Sequence, residues 1–357
     1  MPVGVASVRD GRLVDAGDFG ELIIGLGRFT MQAESVTVTH DGRDGMPAVV
    51  RAIGPLRAIP LLNEFGYAIA PADYGDIRVA VATGAVSAAA LPVRVQVIPV
   101  GAPSPSLPAS YGEPVPGFGR LHVAFPTDGC VTLPAPPGSY RVVVSRGPFY
   151  DLSDTTVTVT AGMTVRVPVT LRRVVATPGV LCGDFHIHTV CSPDSEDDAR
   201  LKVASGAADN LEVMARSHHE WVGDFQPLID SMGLARHVRG VVSIELTTFT
   251  YGHFGVFSLN ADTSQINNGN FAWANRLPPA VFADVRARPE HPTLVINHPR
   301  GARNGAYFEA AGYNPAEGTA NPTMWDDGFT AVEFFNDSSF EENPAQVRDW
   351  FSFLARG

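Results

Sequence analysis

The sequence predicts a multidomain protein: one or more N-terminal β-sandwich regions, then a C-terminal unit in which strands alternate with helices. Three observations carry this. The chain has 357 residues, too many for one typical domain. Its 35 glycines and 29 prolines make up about 18% of the sequence, above an ordinary share of about 12%, so turns are frequent and a helical bundle is disfavoured. Apolar periodicity also changes near residue 175, from a period of two to strand–helix alternation.

In the first half, alternation of Thr or Arg with Val marks Ser35–Thr39, Asp76–Ala82, Pro92–Ile98, Tyr140–Val144 and Thr155–Thr160. A period of two sends one side chain to a core and the next to water. Turn clusters such as Asp41-Gly42, Pro136-Pro137-Gly138 and Ala161-Gly162 separate these runs. The Pro-rich stretch Pro99–Pro116 reads as a linker or long loop. Boundaries are expected near residues 95 and 175, giving β-rich domains at 1–95 and 96–175 and a third domain at 176–357.

From Val180 onward, strands are expected at Leu181–His188, Asn210–Ser217, Gly240–Leu246, His253–Leu259, Thr293–His298 and Thr330–Asn336. Helices are expected at Ser195–Ala208, Asp224–Met232, Pro278–Arg288 and Pro344–Ala355. Such alternation implies a largely parallel sheet or barrel with its chemistry at the C-terminal strand ends.

Composition excludes several functions. A net charge of −11 leaves no surplus of Lys and Arg to displace counterions from nucleic-acid phosphates. The single lysine, Lys202, lies in Leu201-Lys202-Val203, so a phosphate-cradling Gly-Lys-Ser/Thr loop is absent. Cys130, Cys182 and Cys191 contain no CxxC pair and read as free thiols, although Cys182 and Cys191 could bridge if the fold brought them together. The most apolar stretch, Val79–Val93, is interrupted by Thr83, Gly84, Ser87 and Pro92 and falls short of the roughly 20 residues of a membrane helix. The first ten residues lack the positive start and apolar run of a signal peptide.

Histidine carries the chemical signal. Eight of the ten histidines fall between residues 186 and 298, less than a third of the chain, and histidine is the commonest metal ligand. In Gly183-Asp-Phe-His-Ile-His-Thr189, His186 and His188 lie two apart on a strand and leave the same face. Asp194, in the following loop, is either a ligand or the cap of the helix expected to begin near Glu196. Of the adjacent His218 and His219, only one can point into a shared site. Glu245 ends one strand and His253 opens the next, and a carboxylate can bridge two metals. His298 closes an apolar strand in Val295-Ile-Asn-His-Pro-Arg300. Arg300 could hold an anionic substrate or form a salt bridge, and Tyr307 is a weaker substrate contact.

These motifs, with Ser192-Pro-Asp194, Ser217-His-His219, Gly252-His-Phe254, Asn297-His-Pro299 and Val332-Glu-Phe-Phe-Asn336, resemble the polymerase-and-histidinol-phosphatase (PHP) family of metal-dependent hydrolases. The closer likeness is to its CehA/McbA branch. Leu133–Gly147 resembles the β domain that precedes the hydrolase in such proteins, so 96–175 is expected to be a carboxypeptidase-regulatory-like β-sandwich.

The resemblance implies a distorted (β/α)7-type PHP barrel with two or three divalent ions of zinc, manganese or iron. His186, His188 and Glu245 would hold one; His253 and His298 would share Glu245 around a second; Asp194 and His219 would belong to a third. It implies hydrolysis of a small phosphoester, ester, carbamate or amide by metal-bridged hydroxide, with Glu245, His219 and Arg300 in catalytic roles.

The chain departs from the family at two points. His218 stands where the family has Asp. The family's late Asp-x-His would follow a segment like Arg348–Gly357, where this sequence stops, so the barrel is expected to be incomplete, and 1–95 also. An extracytoplasmic location is suggested by analogy alone. An amidohydrolase barrel with a carboxylated lysine is disfavoured, since Lys202 falls in a helix. The remaining alternative is a non-catalytic polymer- or partner-binding β module with a degenerate PHP barrel.

Overall fold

The computed structural model describes residues 74–83, 91–101, 120–301, 305–334, 336 and 344–356, together with six strand pieces before residue 53. Those pieces are β1 (Val5–Ala6), β2 (Val8–Arg9), β3 (Arg12–Leu13), β4 (Ile23–Ile24), β5 (Val36–Thr39) and β6 (Val49–Ala52). They pair as β1 with β4, β2 with β3 and β5 with β6. Most of the expected linker Pro99–Pro116, the Asp41-Gly42 turn and most of the expected domain 1–95 lie outside the described residues.

The chain is mostly strands in several sheets, with few helices. It divides into two compact units, one comprising Met1–Arg146 and Tyr150–Val174, the other Gly147–Phe149 and Val175–Gly357.

In the first unit, β7 (Gly75–Thr83) lies between β10 (Cys130–Ala135, antiparallel) and β13 (Thr164–Leu171, parallel). The second sheet has the order β12-β11-β8-β9 and is antiparallel throughout, built from β8 (Arg94–Pro99), β9 (His122–Ala124), β11 (Gly138–Ser145) and β12 (Ser153–Val159). Alternate residues of both sheets, including Ile77, Val79, Val95, Val97, Leu133, Val142, Val144, Val167 and Val169, share one core. This is the sandwich that a period of two dictates. It corrects the boundary expected near residue 95, because β7 is the central strand of a sheet whose other members come after residue 129.

In the second unit, β14 (Gly183–Ile187), β15 (Val213–Arg216) and β16 (Arg239–Val241) form a parallel sheet. A four-stranded sheet follows in the order β17 (Ser243–Thr247), β18 (His253–Phe257), β19 (Thr293–Asn297) and β20 (Ala331–Val332). Single bridges His219↔Glu245 and Gly223↔Ser243 stitch the chain after β15 to β17.

Two expectations need correction. The strand read as Gly240–Leu246 is two strands, because the chain leaves β15 as its partner and takes up β18 as it passes Val242. The sheet is also mixed rather than largely parallel, since β18 runs antiparallel to both β17 and β19. The five residues between Thr247 and His253 are too few for a parallel crossover. The reversal matters for the site: the start of β18 lies at the same edge as the ends of β17 and β19.

Helices occur where periodicity places them, at α1 (Ala199–Ala208), α2 (Gln226–Ser231), α3 (Pro278–Arg286) and α5 (Pro344–Leu354), with a single turn at α4 (Tyr307–Ala310). Asp198 caps α1 by accepting from the Leu201 amide, and paired prolines open α3. Among the described residues, no helix is long and apolar enough to cross a membrane.

Candidate metal centre

The polar edge of the second unit gathers five imidazoles around one carboxylate. His186 comes from β14, His188 from just beyond it, His219 from the loop after β15, His253 from the start of β18 and His298 from the end of β19. Neighbouring ring centroids are 5.0 Å apart for His186–His188, 4.8 Å for His188–His219, 5.3 Å for His219–His253, 4.8 Å for His253–His298 and 6.0 Å for His298–His186. The rings close a circuit.

Glu245 lies at its centre, fully buried. Oε1 is 3.1 Å from His186 Nε2, 3.2 Å from His298 Nε2 and 3.5 Å from His253 Nδ1. Oε2 is 2.8 Å from His219 Nδ1 and 3.5 Å from His188 Nε2. Asp194 reaches in from the loop after β14, with Oδ2 3.1 Å from His219 Nε2 and Oδ1 3.4 Å from His188 Nδ1. It is free to do so because Asp198 caps the helix instead.

This donor set fits metal ions. A carboxylate offers about four lone-pair positions, and Asn297 Nδ2 already donates to Oε1 at 2.9 Å. Five imidazoles cannot all be satisfied by what remains. Glu245 Oε2, both ring nitrogens of His253 and His298 Nδ1 are buried and make no hydrogen bond; His219 Nδ1 is close to Oε2 but shares its hydrogen bond with Thr247 Oγ1 at 2.6 Å. Buried polar atoms without partners are costly, and a cation relieves that cost. Among the described residues, three groupings bring their ligand atoms within 4.8 Å of one another: His186, His188 and Glu245; His188, Asp194 and His219; and His219, Glu245 and His253. Glu245 belongs to two of them.

Electrostatics differ around the ring. Burial opposes charge on His186, but hydrogen bonds to Glu245 and Glu333 outweigh it and push the imidazole up to about 10. His219 is raised by the same contest between burial and Glu245. Burial dominates at His188 and lowers it to about 4, which favours the neutral ring. Burial would raise Glu245, but its histidine neighbours hold it well below the carboxylate range.

Three further residues were marked by the sequence. His218 turns away, fully buried, with Nε2 2.9 Å from Thr189 Oγ1; burial and the neighbouring Arg216 charge lower it to about 4. Arg300, read as an anion contact or a salt-bridge partner, is paired with Asp349 of α5, with Nε–Oδ2 at 2.6 Å and Nη2–Oδ1 at 3.0 Å. Its guanidinium also donates to the Tyr313 carbonyl at 2.8 Å. Tyr307 is a core residue: its hydroxyl donates toward the Met324 and Asp326 carbonyls and accepts from the Asp326 amide. The three cysteines are free.

Sequence reasoning left Thr247 out of the site, and it offered Ser192, Asn297 and Glu333 only within motifs, with no role assigned to them. Ser192 Oγ lies 2.9 Å from His188 Nδ1. Glu333 Oε1 lies 2.8 Å from His186 Nδ1. The signal for Glu333 was present, since it directly follows a strand, as His188 and His298 do. No protein-family model matches the chain, and no curated protein matches it.

Proposed function

We propose that residues 176–357 form a metal-dependent hydrolase acting on a small phosphoester or a carboxyl-type bond. The observation that carries this is the closed circuit of five imidazoles about the buried Glu245, with Asp194 at its rim. His186, His188 and Glu245 would hold one divalent cation; His219, His253 and His298 would share Glu245 around another; His188, Asp194 and His219 offer a third position. Mixed imidazole and carboxylate ligands suit zinc, manganese and iron. When bound, such cations acidify a coordinated water toward neutral pH and neutralise charge at the attacked centre.

The protein's own groups supply placement. Ser192 and Thr247 hydroxyls hold the Nδ1 sides of His188 and His219, Asn297 steadies one oxygen of Glu245, and Phe254, Ile244 and Ile296 pack without solvent exposure in the strands that carry the site. The reading agrees with the PHP resemblance and its distorted barrel. In support, two short sheets joined by bridges, with the loop that carries Asp194, bring these side chains to one edge; the first and third sets match the groupings above, and the second adds His298, whose Nε2 lies 3.2 Å from Glu245 Oε1.

The test is metal analysis of the purified protein beside a His186→Ala/His188→Ala variant. Turnover of p-nitrophenyl phosphate and naphthyl esters is then measured with added manganese, zinc or iron. We expect the variant to lose metal and turnover together. Equal metal content in the two proteins would reject the assignment.

A further inference from the structure

Glu333 stands outside the three ligand groupings, yet it touches two of the five histidines. It directly follows β20, and its amide donates to the Ile296 carbonyl at 2.9 Å, which fastens it to β19. Its side chain is mostly buried, and the two oxygens diverge. Oε1 lies 2.8 Å from His186 Nδ1, while Oε2 accepts from the His298 backbone amide at 2.7 Å. His298 has a φ of 25°, a left-handed value uncommon for any residue but glycine. Glu333 therefore grips one ligand by its ring and another by a strained piece of backbone.

The hydrogen-bond partners at Nδ1 of two other rings are uncharged, although carboxylates of the ligand set also lie near them. His188 and His219 have neutral hydroxyls at Nδ1, those of Ser192 and Thr247. A carboxylate at the far nitrogen of a ligating imidazole fixes which nitrogen keeps its proton and makes the other a stronger donor. Here it leaves His186 Nε2 facing Glu245.

We infer that Glu333 is a positioning residue that sets two metal ligands at once, His186 by its ring and His298 by its backbone. The inference rests on the metal reading above. Glu333→Ala should weaken uptake of manganese or zinc by chelator-stripped protein about 10–100-fold, the range for lost partners of ligating groups. Glu333→Gln should fall between, because its single carbonyl can accept from only one of the two N–H groups. In cobalt(II)-loaded protein at saturating metal, the visible absorption bands of Glu333→Ala should shift, which a change in stability alone would not produce. In stripped protein, the His298 amide should exchange faster in Glu333→Ala than in wild type.

Both variants binding metal like wild type, with an unshifted cobalt spectrum, would overturn the role of Glu333 and leave the metal reading intact. Failure of wild type itself to bind any of these metals would overturn the metal reading, and this inference with it. If Glu333→Ala does not fold, Glu333→Gln, close to isosteric, decides by the same titration.

Discussion

Removing Asp349 should unfold the second unit far more readily while leaving the imidazole circuit chemically complete. Asp349 has no exposed side-chain surface, and Arg300 retains 18%. The pair makes two charge-assisted contacts, at 2.6 and 3.0 Å. Asp349→Ala strands a guanidinium that keeps, among the described residues, the Tyr313 carbonyl and the face of Phe308. Breaking a buried pair by deleting one partner costs about 3–5 kcal/mol, a large part of a typical stability of about 5–15 kcal/mol. For a unit of this size each kcal/mol lowers Tm by about 2–4 °C, so the fall should be about 6–20 °C. All four tryptophans, Trp221, Trp273, Trp325 and Trp350, lie after residue 175, so tryptophan fluorescence reports this unit alone. The double replacement Arg300→Met/Asp349→Leu should recover most of the loss, since an apolar pair of similar volume often matches a buried ion pair. A shift below about 2 °C for Asp349→Ala, with Arg300→Ala raising KM and leaving Tm unchanged, would refute this reasoning and return Arg300 to the substrate.

Other perturbations follow from the same geometry. Glu245→Gln should lower the bound metal per chain, read by elemental analysis, because two ligand groupings share this carboxylate; unchanged stoichiometry would contradict the shared role. Gly255 pairs with Glu245, and a Cβ there would lie 2.9 Å from Asn297 Oδ1. Gly255→Ala should therefore displace the amide that steadies Glu245, costing about 1–3 kcal/mol as overpacking does, and should weaken metal uptake in a titration. In chelator-stripped protein, the neutral forms of His188 and His218 stabilise the fold above the ordinary value near 6.5, and this contribution is lost as pH falls toward about 4. His186 has the opposite sign: its charged form stabilises below 6.5 and the gain is lost as pH rises through about 10. Thermal melts across this range should show Tm falling at both ends; a Tm that climbs steadily with acidity would contradict the histidine assignments.

Much of this fold was legible because its signals are local. The alternation in Asp76–Ala82 and Tyr140–Val144 found β7 and β11, and the apolar run before His298 found β19. What escaped was non-local or weakly patterned. β9 has only three residues, and nothing near Val242 announces that the chain exchanges one strand partner for another. The antiparallel course of β18 follows from a connection length, not from composition. In the site, histidines at strand ends were visible because the residue type is rare and chemically pointed. Thr247 was not, and Glu333 stood only inside a motif with no role of its own, since a single Glu or Thr has many ordinary uses, and only the fold brings Glu333 beside His186, 147 positions away. The two readings of Arg300, anion contact and salt bridge, could not be separated because its partner, Asp349, lies 49 residues later on a helix whose sequence gives no hint of it.

The imidazole circuit draws on segments from residue 186 to residue 298, so it has no counterpart in the extended chain. A ligand that recognises only the native state shifts the unfolding equilibrium by about 2.7 kcal/mol when present at a hundred times its dissociation constant. On the proposed metal reading, the surrounding supply of divalent ions would act as a second denaturation coordinate beside temperature, and starvation for metal would shorten the lifetime of the polypeptide.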